Sequence, residues 1–157
     1  MTPNLIPQRR NMTVVAFHEA AHAVAAHEID LWFDYVTIDD GQPRIEHSSP
    51  TSIERNSRWF PPKDLALYRL SGGIAEIRKS KKSYVSVFGW GGAKTDWMEF
   101  LRLGVDCESG LSAARRFVWD RWKRIAVIAG ELLDRGTLSP EEVSRIISDS
   151  SQEGGAR

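Results

Sequence analysis

A single cysteine, Cys107, in 157 residues leaves no partner for an intramolecular disulfide and fits a chain built for a reducing compartment. An excess of charge of one sign is missing too. The 21 Lys and Arg balance 21 Asp and Glu, so no net field suggests nucleic acid or an anionic membrane as a partner. No stretch approaches the roughly 20 apolar residues that cross a bilayer, and no membrane span is expected. Met1 to Arg10 holds two prolines and two arginines where a secretory leader has an apolar core. Nor is there a Gly-x-x-x-x-Gly-Lys-Ser/Thr segment to cradle a nucleotide phosphate. The expectation is a cytoplasmic protein with no ATPase encoded in these residues.

What is present is the composition of a soluble globular domain, 41% hydrophobic and 27% charged. The length suits one domain over 1–157, able to bury a sizeable core. Only four histidines occur, and two fall in one pentad, His18-Glu19-Ala20-Ala21-His22. Side chains four apart on a helix share a face, so His18 and His22 can point at one metal ion. Glu19 lies beside the first ligand, where it can reach a metal-bound water instead of the metal. Val14 to Phe17 before the pentad and Ala23 to Ala26 after it are apolar, so this helix is read as buried. A buried His-Glu-His cluster needs compensation for its desolvation, and a bound cation supplies it.

Residues 1–11 read as an extended lead-in, 12–148 as the folded core and 149–157 as a flexible tail. The first helix is expected to start near Asn11 or Thr13 and to reach His27 or Glu28. Tyr35, Val36, Thr37 and Ile38 favour strand, Asp40-Gly41 marks a turn, and Pro43 to His47 reads as the returning strand. Ser48 to Trp59 reads as a loop. Helical spacing returns at Leu65, Leu67, Leu70 and Ile74, broken or tightly packed at Gly72-Gly73. Arg78 to Ser83 reads as an exposed basic loop, and Gly89, Gly91 and Gly92 as a flexible segment. Trp97 to Leu103 is one helix, and Leu111 to Leu133 a longer apolar stripe. Ser139-Pro140-Glu141-Glu142 starts a last helix burying Val143, Ile146 and Ile147. The fold class is mainly α with a small β-hairpin or sheet.

A catalytic zinc site needs three protein ligands and an open position. His27 lies on another face of the helix than His22, His47 stands near the hairpin, and Glu76 and Asp96 are acidic candidates downstream. Chemistry alone does not separate the two carboxylates. Cys107 reads as a helix residue without catalytic role. Trp119 and Trp122, among basic residues, read as core plus solvated charge, and no nucleic-acid partner is expected.

The string Phe17-His18-Glu19-Ala20-Ala21-His22-Ala23-Val24 resembles the zinc helix of the peptidase domain in FtsH-type AAA metalloproteases. Tyr35 to Ile38 is similar to the short β segment that follows it there. Leu70-Ser71-Gly72-Gly73-Ile74-Ala75-Glu76 and Gly92-Ala93-Lys94-Thr95-Asp96 resemble two further family segments, in the same order. The resemblance implies an FtsH-peptidase-like helical zinc metallopeptidase domain. It implies one Zn2+ held by His18, His22 and Asp96, with Glu19 as catalytic base and Glu76 orienting a zinc histidine. Ala21 departs from the usual glycine inside the pentad. The activity implied is ATPase-independent hydrolysis of peptide bonds in flexible or unfolded polypeptides. Substrate is expected to add as a strand at the edge near Tyr35 to Ile38 or Arg44 to His47. His47, Arg44 and Tyr35 are candidate oxyanion donors. Homo-oligomeric rings and a separate unfoldase partner come with the resemblance alone. Two other readings share the pentad: an ImmA/IrrE-like regulatory metalloprotease, and a non-catalytic zinc-stabilised binding or adaptor domain. Glu19 speaks against the second, because a purely structural site has no need of a base.

Overall fold

The computed structural model describes residues 11–39 and 41–153; the expected lead-in over 1–10, the first residue of the Asp40-Gly41 turn and the end of the tail lie outside them. The fold is mainly helical, with one small antiparallel sheet. Helix α1, Met12–Glu28, is its axis, and every residue from Ala16 to Ala26 is buried. Asn11 starts it by accepting a hydrogen bond from the Thr13 amide at 3.1 Å, satisfying one of the free amides of the first turn. Alanine makes this burial workable. Its small side chain lets neighbours approach on all sides while it keeps the best helix propensity.

Strands β1 (Tyr35–Thr37) and β2 (Arg44–Glu46) form the expected hairpin, with Val36 opposite Ile45. A third strand, β3 (Thr137–Leu138), pairs with the other side of β1. The order is β2-β1-β3, so β1 is central. The expectation of an edge strand at Tyr35, Val36, Thr37 and Ile38 is therefore corrected: β1 is covered on both sides, and the edges are β3 and β2, the latter within the alternative Arg44 to His47. Strand β3 escapes sequence reading because two residues cannot display an alternating pattern. Ile38 extends the pairing by donating to the Gly136 carbonyl at 2.9 Å.

Part of the expected loop after the hairpin is helix α2, Pro50–Arg55. Ser49 caps it, accepting from the Ser52 amide at 3.1 Å, and Pro50 occupies the first turn. Proline suits that position because its missing N–H would be unpaired there anyway. Helix α3, Pro62–Ser80, runs unbroken through Gly72-Gly73 and includes the first part of the basic stretch read as loop. Lys81, with φ +60°, ends it.

Of the glycine-bearing segment read as flexible, Gly89 lies in a π-helix over Val85–Trp90, a wide turn of a kind found often at functional sites, and Gly91 and Gly92 follow it in a bend and turn. Gly91 leaves it across its own backbone: a Cβ there would lie 2.9 Å from the Ser86 carbonyl oxygen. Helix α4, Lys94–Arg102, follows. The long stripe from Leu111 to Leu133 is two helices, α5 (Cys107–Asp120) and α6 (Trp122–Arg135), which break at Arg121. Helix α7, Pro140–Glu153, starts as its Ser-Pro pair predicts and continues past the expected end of the core. Ser139 and Glu142 bond reciprocally across its first turn, at 3.1 and 3.4 Å. Leu70, Phe100, Ile125, Ile128, Leu132 and Val143 are fully buried in the core around α1. No helix among the described residues is long and apolar enough to cross a membrane.

Candidate metal centre

His18 and His22 lie one turn apart on α1, both nearly buried, with Glu19 between them equally so. Opposite them stands Asp96, brought in by the first turn of α4. The atoms facing each other are His18 Nε2, His22 Nε2 and Asp96 Oδ2. Their separations are 3.1 Å between the histidines, 3.1 Å from His22 to Asp96 and 3.3 Å from His18 to Asp96. Tetrahedral zinc with ligands at 2.0–2.1 Å sets neighbouring ligand atoms about 3.3 Å apart. The triangle has the size of one face of that tetrahedron.

The outer nitrogens decide what the inner ones are. His18 Nδ1 donates to Glu76 Oε2 at 2.8 Å, and His22 Nδ1 donates to the Tyr68 carbonyl at 2.7 Å. Both imidazoles are thereby held with hydrogen on Nδ1 and a lone pair on Nε2. Two lone pairs and a carboxylate oxygen then converge with no donor among them. Such a group can hold a cation, and nitrogen and oxygen donors of this kind suit zinc.

Without a metal, a proton has to stand in for that cation. Burial opposes charge on His18, but hydrogen bonds to Asp96 and Glu76 and the charges of Glu19 and Asp96 outweigh it, and its pKa is pushed up to about 10. Burial likewise resists ionisation of Asp96, yet the two histidines hold its pKa well below the usual carboxylate range. Glu19 goes the other way. Burial raises its pKa, and the nearby histidines only partly offset the effect.

The packing around the triangle is close. Gly72 of α3 faces the His22 ring, and a Cβ there would collide with Nε2, Cδ2 and Cε1 together. Of the two readings of the glycine pair, a break or tight packing, the structure has the second: Gly72 leaves the space in which His22 sits, and Gly73 packs against Phe88. On the other side, Asp96 Oδ1 faces Arg69 Nη1 at 3.9 Å, so its two oxygens have separate partners. Tyr68 and Arg69 carry no motif of their own. Tyr68 supports His22 through its backbone carbonyl, which any residue could offer, and this left no trace in the sequence.

The remaining candidates fall elsewhere. Glu76 is not in the triangle but holds His18 from behind. His47 is separated from His22 by the Tyr68 side chain. Its Nδ1 donates to the Trp32 carbonyl at 2.9 Å, and its Nε2 accepts from the Tyr68 hydroxyl at 2.7 Å. Arg44 and Tyr35 are bonded to each other at 2.8 Å, and Arg44 also reaches Glu46. His27 lines a different cavity, with Asp30 and Trp32. Cys107 is exposed in the first turn of α5. Trp122 packs on Phe17 with ring centres 4.9 Å apart, while Trp119 stays exposed.

Two clefts lie near the centre, and of these the first is lined by a residue of the triangle, His18. It has a volume of about 540 Å³, is lined also by Glu19 and Glu76 and reaches Pro43. The other, of about 480 Å³, is lined by Tyr68 and Arg69 and reaches His47. Pro43 and His47 flank strand β2. The sequence matches no protein-family model and no curated protein.

Proposed function

We propose that this protein is a zinc-dependent metalloendopeptidase with an FtsH-like peptidase fold, acting on flexible or unfolded polypeptides. The observation that carries this reading is the converging triangle of two imidazole lone pairs and one carboxylate oxygen beside a buried glutamate. His18, His22 and Asp96 would hold the metal. Bound zinc supplies Lewis acidity, which polarises a carbonyl and makes water nucleophilic near neutral pH. Glu19 accepts the proton of the attacking water and returns it to the departing amine. Burial raises its pKa above the ordinary carboxylate value, the direction in which a carboxylate becomes a better proton acceptor. Glu76 and the Tyr68 carbonyl keep both imidazoles in the ligating tautomer. Arg69 steadies the outer oxygen of Asp96.

Substrate in extended form would lie along β2, the edge strand whose flanking residues Pro43 and His47 line the two clefts. Pairing with a strand edge reads backbone, which suits a chain already unfolded. The test compares wild type with Glu19→Gln for bound zinc and for cleavage of unfolded casein. Zinc in both and cleavage only by the wild type is the expected result. Zinc in both with cleavage by neither turns the reading toward a binding domain.

A further inference from the structure

The cleft beside Glu19 has a charge pattern that peptide hydrolysis does not require. Lys79 and Lys82 line its wall, and both are exposed. The carboxylates among its lining residues are Glu19 and Glu76. Glu19 is buried, and Glu76 is committed to His18 at 2.8 Å. Lys79 follows Glu76 by three residues on α3, close enough for an ion pair, yet none forms. Its ammonium instead lies 4.7 Å above the centre of the Phe17 ring. Lys82 stands just past the left-handed turn at Lys81 that ends α3, outside the helix, and has no ion pair among the described residues. Two cations thus line one cleft with the metal centre, in a protein whose total charge is zero.

We propose that this cleft is a carboxylate subsite, in which Lys79 and Lys82 receive an acidic group of the substrate close to the bond that is cut. This rests on the peptidase reading and names its substrate class: polypeptides with an Asp or Glu side chain, or a free C-terminal carboxylate, a few atoms from the scissile amide. The ammonium groups supply hydrogen bonds to a charged acceptor, stronger than those between neutral partners. A basic side chain entering the same cleft meets two positive charges that have no ion-pair partner there, so selectivity comes from repulsion as well as attraction.

Binding tests this independently of turnover. Zinc-loaded full-length Glu19→Gln is titrated with fluorescein-labelled peptides of one flexible sequence. Single Glu, Gln or Lys residues are placed at successive positions, and the C-terminus is either free or amidated. At one position the Glu peptide should bind about tenfold more tightly than the Gln peptide, with Lys weakest, and raised salt should compress the difference. Lys79→Gln with Lys82→Gln should abolish that preference while leaving bound zinc and the melting temperature unchanged. If only the free C-terminus matters, the carboxylate read is the terminal one. Equal binding of Glu, Gln and Lys peptides at every position, with both termini, overturns the subsite. Charge-selective binding without cleavage by the wild type leaves the subsite standing and overturns the peptidase reading.

Discussion

Two polar clusters in this fold handle burial in opposite ways. Around Asp34 everything is matched. Its Oδ1 accepts from the hydroxyls of Ser49 and Ser52, and its Oδ2 accepts from the Ser49 amide at 3.0 Å. Ser49 Oγ accepts in turn from the Ser52 amide. Ser52 is fully buried, yet every donor named here meets an acceptor. At His18, His22 and Asp96, by contrast, three acceptors face one another within 3.1–3.3 Å. The first cluster is complete as a piece of structure. The second, on the proposed metal reading, is completed by a cation, and that difference would separate a brace from a site.

The comparison breaks most severely if Glu19→Gln still cuts peptides. The substitution should keep zinc and lower turnover by about 10²–10⁴-fold, the usual worth of a general base, measured with a quenched peptide under saturating zinc. Gly72→Ala comes next. Its methyl drives against the His22 ring, so zinc measured after gel filtration should fall from about one per chain toward none while the helical circular dichroism persists. A variant that keeps its zinc would show the His22 position to be far more yielding than the packing implies. Glu76→Gln retains the shape but weakens the hold on His18 Nδ1, and zinc affinity should drop about 10–100-fold in a chelator competition.

The brace should respond in stability alone. Ser52→Ala removes one hydroxyl donor to Asp34 and should cost about 1 kcal/mol of unfolding free energy in urea, with zinc affinity unchanged. Acid should reveal the same cluster. Burial pushes the Asp34 pKa up, but the Ser49 and Ser52 hydroxyls, the Ser49 amide and His47 hold it below the ordinary 3.8. A folded pKa below the unfolded one adds stability above the unfolded value and loses it as pH falls through the folded value. The deficit of Asp34→Asn against wild type should therefore be full at pH 7 and fade as the pH falls below the ordinary 3.8.

Local signals carried much of the fold. Helix α1 is legible because Asn11 caps it and nothing interrupts its apolar run. The hairpin is legible from β-favouring residues on both sides of a turn. Helix α7 shows in its Ser-Pro start. The same Ser-Pro pair at Ser49-Pro50 is less legible, because a proline in a polar stretch reads first as a breaker. The differences elsewhere share one cause. Gly72-Gly73 stays helical, and Arg121 splits one apolar stripe into two helices, because packing against α1 and α3 outweighs local propensity. In the site, spacing alone put His18, Glu19 and His22 together, and resemblance to a family chose Asp96 over Glu76.

The sequence by itself therefore determined the pentad and its shared helical face, since four residues make nearly one turn whatever surrounds them. Tertiary structure alone decided the rest. It placed Asp96 Oδ2 within 3.3 Å of both imidazoles, across 74 residues from His22, and it set Glu76 behind His18. It also put β1 at the centre of the sheet and left β2 and β3 as its edges. Such pairings depend on how helices and strands cross, and no periodicity along a chain records which distant residue will fill the space opposite.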